Sequence, residues 1–360
     1  MQNKKQPEVR FANYEGEWKE KNLSEVVDVH SGRDYKHLES GDIPVYGTGG
    51  YMLSVSEALS HDKDAIGIGR KGTIDKPYIL HSPFWTVDTL FYTIPRKRFD
   101  LNFVFGIFQQ INWKKKDEST GVPSLSKMTI NSVKVDVPDL EEQQKIGILF
   151  NKIDADITLH QQELARLKQT KQGFLQKMFP KEGERVPEVR FPGFNDDWDH
   201  QRLESAVEVK SGRDYKHLKK GDIPVYGTGG YMLSVNEALS DTEDAIGIGR
   251  KGTIDKPYLL KAPFWTVDTL FYSIPKKGYD LDFVNNIFQR INWKKMDEST
   301  GVPSLSKAVI NAIQIQIPSF EEQKMIGCFF KQFDETITLH QRDLEFLQLT
   351  KKAFLQKLFV

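Results

Sequence analysis

Three short cationic segments carry the clearest chemical capacity in this chain: Arg33, Tyr35, Lys36 and His37; Arg70 and Lys71, followed by Lys76; and Trp113 with Lys114 and Lys115. Arginine and lysine pair with phosphate oxygens, and an arginine fork also matches the edge of guanine. Tyrosine, histidine and tryptophan add hydrogen bonds and stacking faces. Each segment recurs 180 residues on, as Arg213, Tyr215, Lys216 and His217, as Arg250, Lys251 and Lys256, and as Trp293, Lys294 and Lys295. As a set they describe a polyanion surface, with DNA as its ligand.

Other motifs fail on context. GIGRKG at Gly67 to Gly72 satisfies the glycine spacing of a dinucleotide site, which needs a helix directly after it; the chain continues TIDKPY, with a proline. It reads as a glycine-shaped turn that presents Arg70 and Lys71. GTGG at Gly47 lacks the following GK[ST] of a phosphate-binding loop. Neither a G-x-S-x-G elbow nor H-E-x-x-H occurs, nor the [DN]-P-P-[YFW] tetrapeptide with which amino-methylating enzymes grip a flipped base. No His/Cys spacing resembles a metal site, and a single cysteine, Cys328, excludes an intrachain disulfide. We expect no catalytic and no metal-binding residue, and hence a binding protein.

Two copies of everything require a frame. Residues 1–180 lie on 181–360 without a gap, Trp18, Trp85 and Trp113 falling on Trp198, Trp265 and Trp293. Between 31 and 130 roughly four-fifths of positions are identical to their partners, against roughly two-fifths elsewhere. If the middle of each half is a reading head, the two heads read nearly the same thing. A length of 360 residues, 39% hydrophobic and 28% charged, suits two soluble domains. Lys plus Arg equals Asp plus Glu at 50 each, a neutral total that can still hold a basic face. The first 25 residues lack a secretory core and no apolar run approaches a membrane span, so the expected location is the cytoplasm, with no membrane partner.

Each half begins with β-prone runs, VVDVH near 26, DIPVY near 42, AIGIG near 65 and LFYTI near 90, then the helix-length LNFVFGIFQQ from Leu101 and the alternating VKVDV at 133 or IQIQI at 313. PEVRF at Pro7 and PEVRFPGF at Pro187 read as extended lead-ins. From Glu141 the period becomes helical. Ile146, Ile153, Ile157, His160, Leu164 and Leu167 form one seam, with Phe150, Phe174 and Met178 in step; Ile326, Phe333, Ile337, His340, Leu344 and Leu347 form the other. Acidic Glu141, Glu142, Glu321 and Glu322 suit the first helical turn. A helix of about 39 residues reaches roughly 58 Å, too long for its own domain to bury, so the two helices should pair. His160 and His340 are expected near one another if that pairing is antiparallel, and Lys171 and Lys351 to snorkel from the seam to water. The expected fold is α+β with internal pseudo-twofold symmetry: strand-rich recognition domains at 1–137 and 181–317, and long antiparallel coiled-coil helices at 138–180 and 318–360.

These residues resemble the specificity subunits of Type I restriction-modification systems. The resemblance runs the whole chain, through PEVRFPGFNDDW at Pro187, IPVYGTGG and GRKGTIDKP in each half, FWTVDTLF at Phe84 and Phe264, GVPSLSK at Gly121 and Gly301, and P-x-x-EEQ at Pro138 and Pro318. It implies a non-catalytic subunit whose two target recognition domains each read one half of a bipartite site in double-stranded DNA. It implies as partners two modification subunits, which bind S-adenosylmethionine and methylate adenine, and restriction subunits, which use ATP and Mg; this chain itself would bind no cofactor. In that family the two recognition domains ordinarily differ while the helices agree. Here the domains are the more alike parts, which implies an interrupted palindrome. Other readings of the residues are a duplicated protein adaptor without DNA binding, a specificity subunit for another restriction class, and a β-rich glycosidase with unrecognised carboxylates.

Overall fold

The computed structural model describes residues 5–360; residues 1–4, within the expected first recognition domain, lie outside the described residues. By packing the chain divides into two compact units, Met1–Gln161 with Arg342–Val360, and Gln162–Gln341. The first copy runs β1 (Lys19–Asn22), α1 (Leu23–Val26), β2 (Val27–Ser31), β3 (Ser40–Gly47), β4 (Gly50–Val55), β5 (Ala65–Gly69), β6 (Tyr78–Leu80), β7 (Trp85–Thr86), β8 (Leu90–Pro95), α2 (Leu101–Gln110), α3 (Lys127–Ser132), β9 (Lys134–Val137) and α4 (Leu140–Lys177). The second repeats that order as β10 (Asp199–Arg202), α5 (Leu203–Ala206), β11 (Val207–Ser211), β12 (Lys220–Gly227), β13 (Gly230–Val235), β14 (Ala245–Gly249), β15 (Tyr258–Leu260), β16 (Trp265–Thr266), β17 (Leu270–Pro275), α6 (Leu281–Arg290), α7 (Lys307–Ala312), β18 (Gln314–Ile317) and α8 (Phe320–Leu358).

In the first unit an antiparallel sheet of order β2-β8-β5-β6 stands beside a three-stranded sheet, β4-β3-β7, whose β3 and β7 are parallel; β1 and β9 form a separate antiparallel ribbon. The second unit has the same three sheets. Strand β5, AIGIG, is buried at every residue, so it reads as an unbroken apolar run, whereas β9 alternates with Val135 and Val137 inside and Lys134 outside. Helix α2 starts where the Asp100 carboxylate accepts the Phe103 N–H at 2.9 Å, and it buries Phe103, Val104, Ile107 and Phe108 against that sheet.

The lead-in and the helix start grip each other. The Arg10 guanidinium holds both carboxylate oxygens of Glu142, at 2.7 and 2.8 Å, and Gln143 accepts the Asp100 N–H while donating to the Pro138 carbonyl. Arg190 and Glu322 repeat the fork at 2.7 and 2.8 Å. Glu142 and Glu322 are thus buried ion-pair partners as well as first-turn acids.

Each unit contains an antiparallel helix pair. In the first, Phe150 meets Phe359 and Asp154 meets Lys351, partner numbers falling as α4 rises. In the second, Lys171 meets Asp334, Phe174 meets Phe333 and Phe329, and Phe179 meets Phe330. The end of each long helix therefore packs in the unit formed by the other copy's domain. Ile146, Ile153, Leu164, Ile326 and Ile337 are buried; Ile157, His160, Leu167, Phe333, His340, Leu344 and Leu347 are half-buried. The snorkelling expected of Lys171 and Lys351 is corrected. Lys171 is only 8% exposed and bonds Asp334 and Gln289, and Lys351 bonds Asp154, because a carboxylate opposite each ammonium replaces water within the helix pair.

Candidate nucleic-acid interface

Both arginine loops hang from a single turn, Thr86–Thr89, between β7 and β8. The Arg33 N–H donates to the Thr86 carbonyl at 2.8 Å, and the Arg70 and Lys71 N–H groups donate to the Thr89 carbonyl at 2.8 and 3.2 Å. The turn is itself tied to β3, Val87 N–H to Tyr46 carbonyl at 3.0 Å, and one Arg70 guanidinium nitrogen lies 3.3 Å from the Asp88 carbonyl oxygen. Each arginine follows a glycine with no space for a side chain. A Cβ on Gly32 would stand 2.0 Å from the Val87 carbonyl oxygen, and one on Gly69 2.0 Å from that of Thr73. Sequence separates these loops; the turn joins them.

Two further loops complete the face. The β3–β4 hairpin turns through Gly50 at φ +105° and presents Tyr51 and Met52, which are 63% and 49% exposed, as Tyr231 and Met232 are at 63% and 50%. It is braced from within by Tyr78, whose hydroxyl donates to the Gly47 carbonyl at 2.6 Å and whose burial pushes its phenol up. The GVPS loop closes the other side: Gly72 N–H donates to the Pro123 carbonyl and Leu125 N–H to the Arg70 carbonyl. Asp117 accepts the N–H groups of Ser124 and Ser119, which hold its carboxyl below the usual range.

In the second copy the continuity of this face is explicit. A groove of about 670 Å³ lies between Asp214–Lys216, the hairpin at Gly227–Met232 and Val267–Thr269. Another, of about 420 Å³, lies between Arg250–Lys251, Ser304–Ser306 and Asp268–Thr269. Asp268 and Thr269 belong to both, so the turn is the ridge between two grooves.

The structure leaves Arg33, Lys36, His37, Arg70, Lys71, Lys76, Lys114 and Lys115 exposed, and their eight twins likewise. Tyr35 and Tyr215 are half-buried against the cores behind their loops. Lys114 is drawn to the Arg70 loop by a 2.9 Å pair with Asp75, repeated by Lys294 and Asp255, and the ammonium holds each carboxyl low. One expectation fails. Trp113 and Trp293 are buried, their indole N–H groups bonded to the Phe108 and Phe288 carbonyls at 2.8 Å, so neither ring can stack on a base. The segment after GIGRKG forms no helix. Tyr51, Met52 and the Thr86–Thr89 turn were not found from residue type; the signal available was their place beside GTGG and inside FWTVDTLF. Among the described residues no group of His, Cys, Asp or Glu could hold a metal ion, and no helix is long and apolar enough to cross a membrane.

Residues 15–169 and 195–349 each match the family described as Type I restriction modification DNA specificity domain. The chain belongs to that family. It therefore carries two specificity domains in tandem, each taking in a recognition face and most of the helix after it. Among curated proteins the chain is similar to the Type I restriction enzyme MjaVIII specificity subunit of Methanocaldococcus jannaschii, 22% identical over an alignment of 283 residues that covers 68% of this chain and 65% of that relative. The match thus spans less than two thirds of that protein. Among solved structures, the Type I restriction-modification system S subunit from M. genitalium has the same fold, with a TM-score of 0.81 at 16% identity over 99% of both chains. A chain from a study of complex assembly and conformational transition of the type I R-M system aligns at a TM-score of 0.50 and 13% identity, over 94% of this chain and 97% of that one.

Proposed function

We propose that this chain is the DNA-specificity subunit of a Type I restriction-modification complex, and that each domain reads one half of an interrupted palindrome. The observation that carries this reading is the repetition of one face: the same cations, the same exposed Tyr–Met pair and the same anchoring turn in both copies. Like faces read like half-sites. Lysine and arginine contacts to phosphates supply affinity that falls with salt, and base-edge contacts supply discrimination at roughly 1–3 kcal/mol per good bidentate pair.

The long helices then act as a ruler between the domains and as a seat for two modification subunits. Exposed Ile148 and Leu159 on α4, and Leu339, Phe346 and Leu349 on α8, are apolar surface available for such partners. In this reading the chain supplies no catalytic group. The modification subunits bring S-adenosylmethionine and take the adenine out of the stack, and restriction subunits bring ATP and Mg. Single-molecule sequencing of adenine methylation, in cells carrying this chain with its modification subunit and in cells lacking only this chain, tests it. A palindromic, interrupted motif that disappears with the chain is expected. Half-sites unrelated in sequence would refute the equivalence of the domains, and the absence of any chain-dependent motif would refute the function.

A further inference from the structure

Several exposed acidic residues stand on this face, among them Asp214 in the first groove and Glu298 in the second, and the pair at its centre is the most out of keeping with phosphate binding. Asp88 and Asp268 sit at the centre of the anchoring turn, exposed, between the two arginine loops; Asp268 lines both grooves. A carboxylate there repels phosphates, so it lowers affinity for every DNA sequence alike. Nor does it serve the fold. The turn is held by main-chain groups, and it is the Asp88 carbonyl, not its carboxylate, that lies near Arg70. Among the described residues the Asp88 and Asp268 carboxylates carry no hydrogen bond or ion pair. Yet their positions are fixed by main-chain bonds on either side, with Thr86, Val87 and Thr89 all tied to neighbouring loops. A rigidly placed acceptor suits a base edge, where a small displacement loses the bond.

We propose that Asp88 and Asp268 are base-reading residues, each accepting a hydrogen bond from the exocyclic amine of cytosine or adenine in the major groove of its half-site. This rests on the function proposed above. The neighbouring Arg70 and Arg250 guanidinium groups offset the repulsion of the carboxylates by contacting adjacent phosphate or guanine.

The test uses the full chain with its modification subunit, comparing Asp88→Ala/Asp268→Ala and Asp88→Glu/Asp268→Glu with the parent; asparagine is avoided because its amide oxygen still accepts and it pairs with adenine itself. The Ala pair removes two negative charges together with both acceptors. If the carboxylates read bases, affinity for the methylated target falls, roughly 5- to 150-fold per half-site, while affinity for unrelated DNA rises. The Glu pair keeps the charge but moves each carboxylate, so only the target affinity falls. Methylation by Asp88→Ala alone relaxes at one position of one half-site, and which base is lost there distinguishes cytosine from adenine. An Ala pair that binds target and unrelated DNA more tightly in equal measure, with the methylated motif unchanged, overturns the proposal. So does a Glu pair indistinguishable from the parent. A parent chain that directs no sequence-dependent methylation defeats the proposed function, and this assignment with it.

Discussion

The Lys171 ammonium nitrogen lies 2.5 Å from Oδ1 of Asp334 within the helix pair of the second unit, and the Gln289 side-chain oxygen completes its shell at 2.8 Å. Lys351 and Asp154 repeat the pair at 2.6 Å in the first unit. Lys171 is the buried partner, whereas Asp334 keeps 43% of its side-chain surface in water. Removing the carboxylate should therefore hurt more than removing the amine. Asp334→Ala strands a buried cation and is expected to cost about 2 kcal/mol, below the 3–5 kcal/mol typical of fully buried pairs because Asp334 is half-solvated. Lys171→Met fills the same space without charge and is expected within about 1 kcal/mol of the parent. Urea unfolding of the full chain checks the asymmetry; equal losses would mean that the pair adds net stability of its own.

The Arg10–Glu142 and Arg190–Glu322 forks make a second prediction. Glu142 and Glu322 are almost wholly buried, and the hydrogen bonds that Arg10 donates to Glu142 hold its guanidinium more firmly charged than usual. Arg190→Ala should cost about 3–5 kcal/mol, because it leaves Glu322 buried and unpaired. Arg190→Lys should recover only part of that, since an ammonium cannot bond both oxygens in a plane. Thermal unfolding of the full chain measures both; a loss under about 1 kcal/mol for the alanine variant would show that water reaches the carboxylate.

These two features mark how far the sequence could be read. The change to a helical period at Glu141 and the AIGIG strand were legible, the one from repeated apolar spacing and the other from β-prone residues, because both are local information. The Arg10–Glu142 fork was not. PEVRF and P-x-x-EEQ each stood out as motifs, but nothing local says that residues 132 positions apart share an ion pair. The same limit separated Arg33 from Arg70. Their residue types are those expected of a polyanion surface, while the turn that joins them is made of main-chain carbonyls, which carry no sequence signature. Trp113 failed for a related reason: a tryptophan beside two lysines has the composition of a stacking site, and only the path of α2 shows that its ring faces the core.

The glycines that introduce the arginines supply a third prediction. Gly32→Ala and Gly69→Ala each place a methyl group 2.0 Å from a carbonyl oxygen, so the main chain must move. A shift costing about 1–3 kcal/mol is expected, spent mainly in breaking the Arg33 or Arg70 bond to the Thr86–Thr89 turn. DNA affinity of the complex should fall while far-ultraviolet circular dichroism stays near the parent's. Unchanged affinity for both variants would show that the turn does not set the positions of the arginines.

Finally, the hairpins should loosen in alkali. Burial pushes the Tyr78 and Tyr258 phenols well above the ordinary tyrosine value of 10, and each hydroxyl donates to a hairpin carbonyl, Gly47 or Gly227, at 2.6 Å. A group whose folded value is raised contributes stability that is fully present below its unfolded value and is lost as pH rises through the folded one. The loss therefore begins above about pH 10. Ionisation removes the donor and places a phenolate against a carbonyl oxygen, freeing the segment that presents Tyr51 and Tyr231. Phenolate absorbance should show Tyr78 and Tyr258 titrating after the exposed tyrosines and together with unfolding. Tyr78→Phe/Tyr258→Phe should remove that late step, and should flatten the stability profile above pH 10 at the cost of about 1 kcal/mol per lost hydrogen bond at neutral pH. A late step that persists in the double variant would assign it to Tyr92 and Tyr272, whose phenols burial also raises.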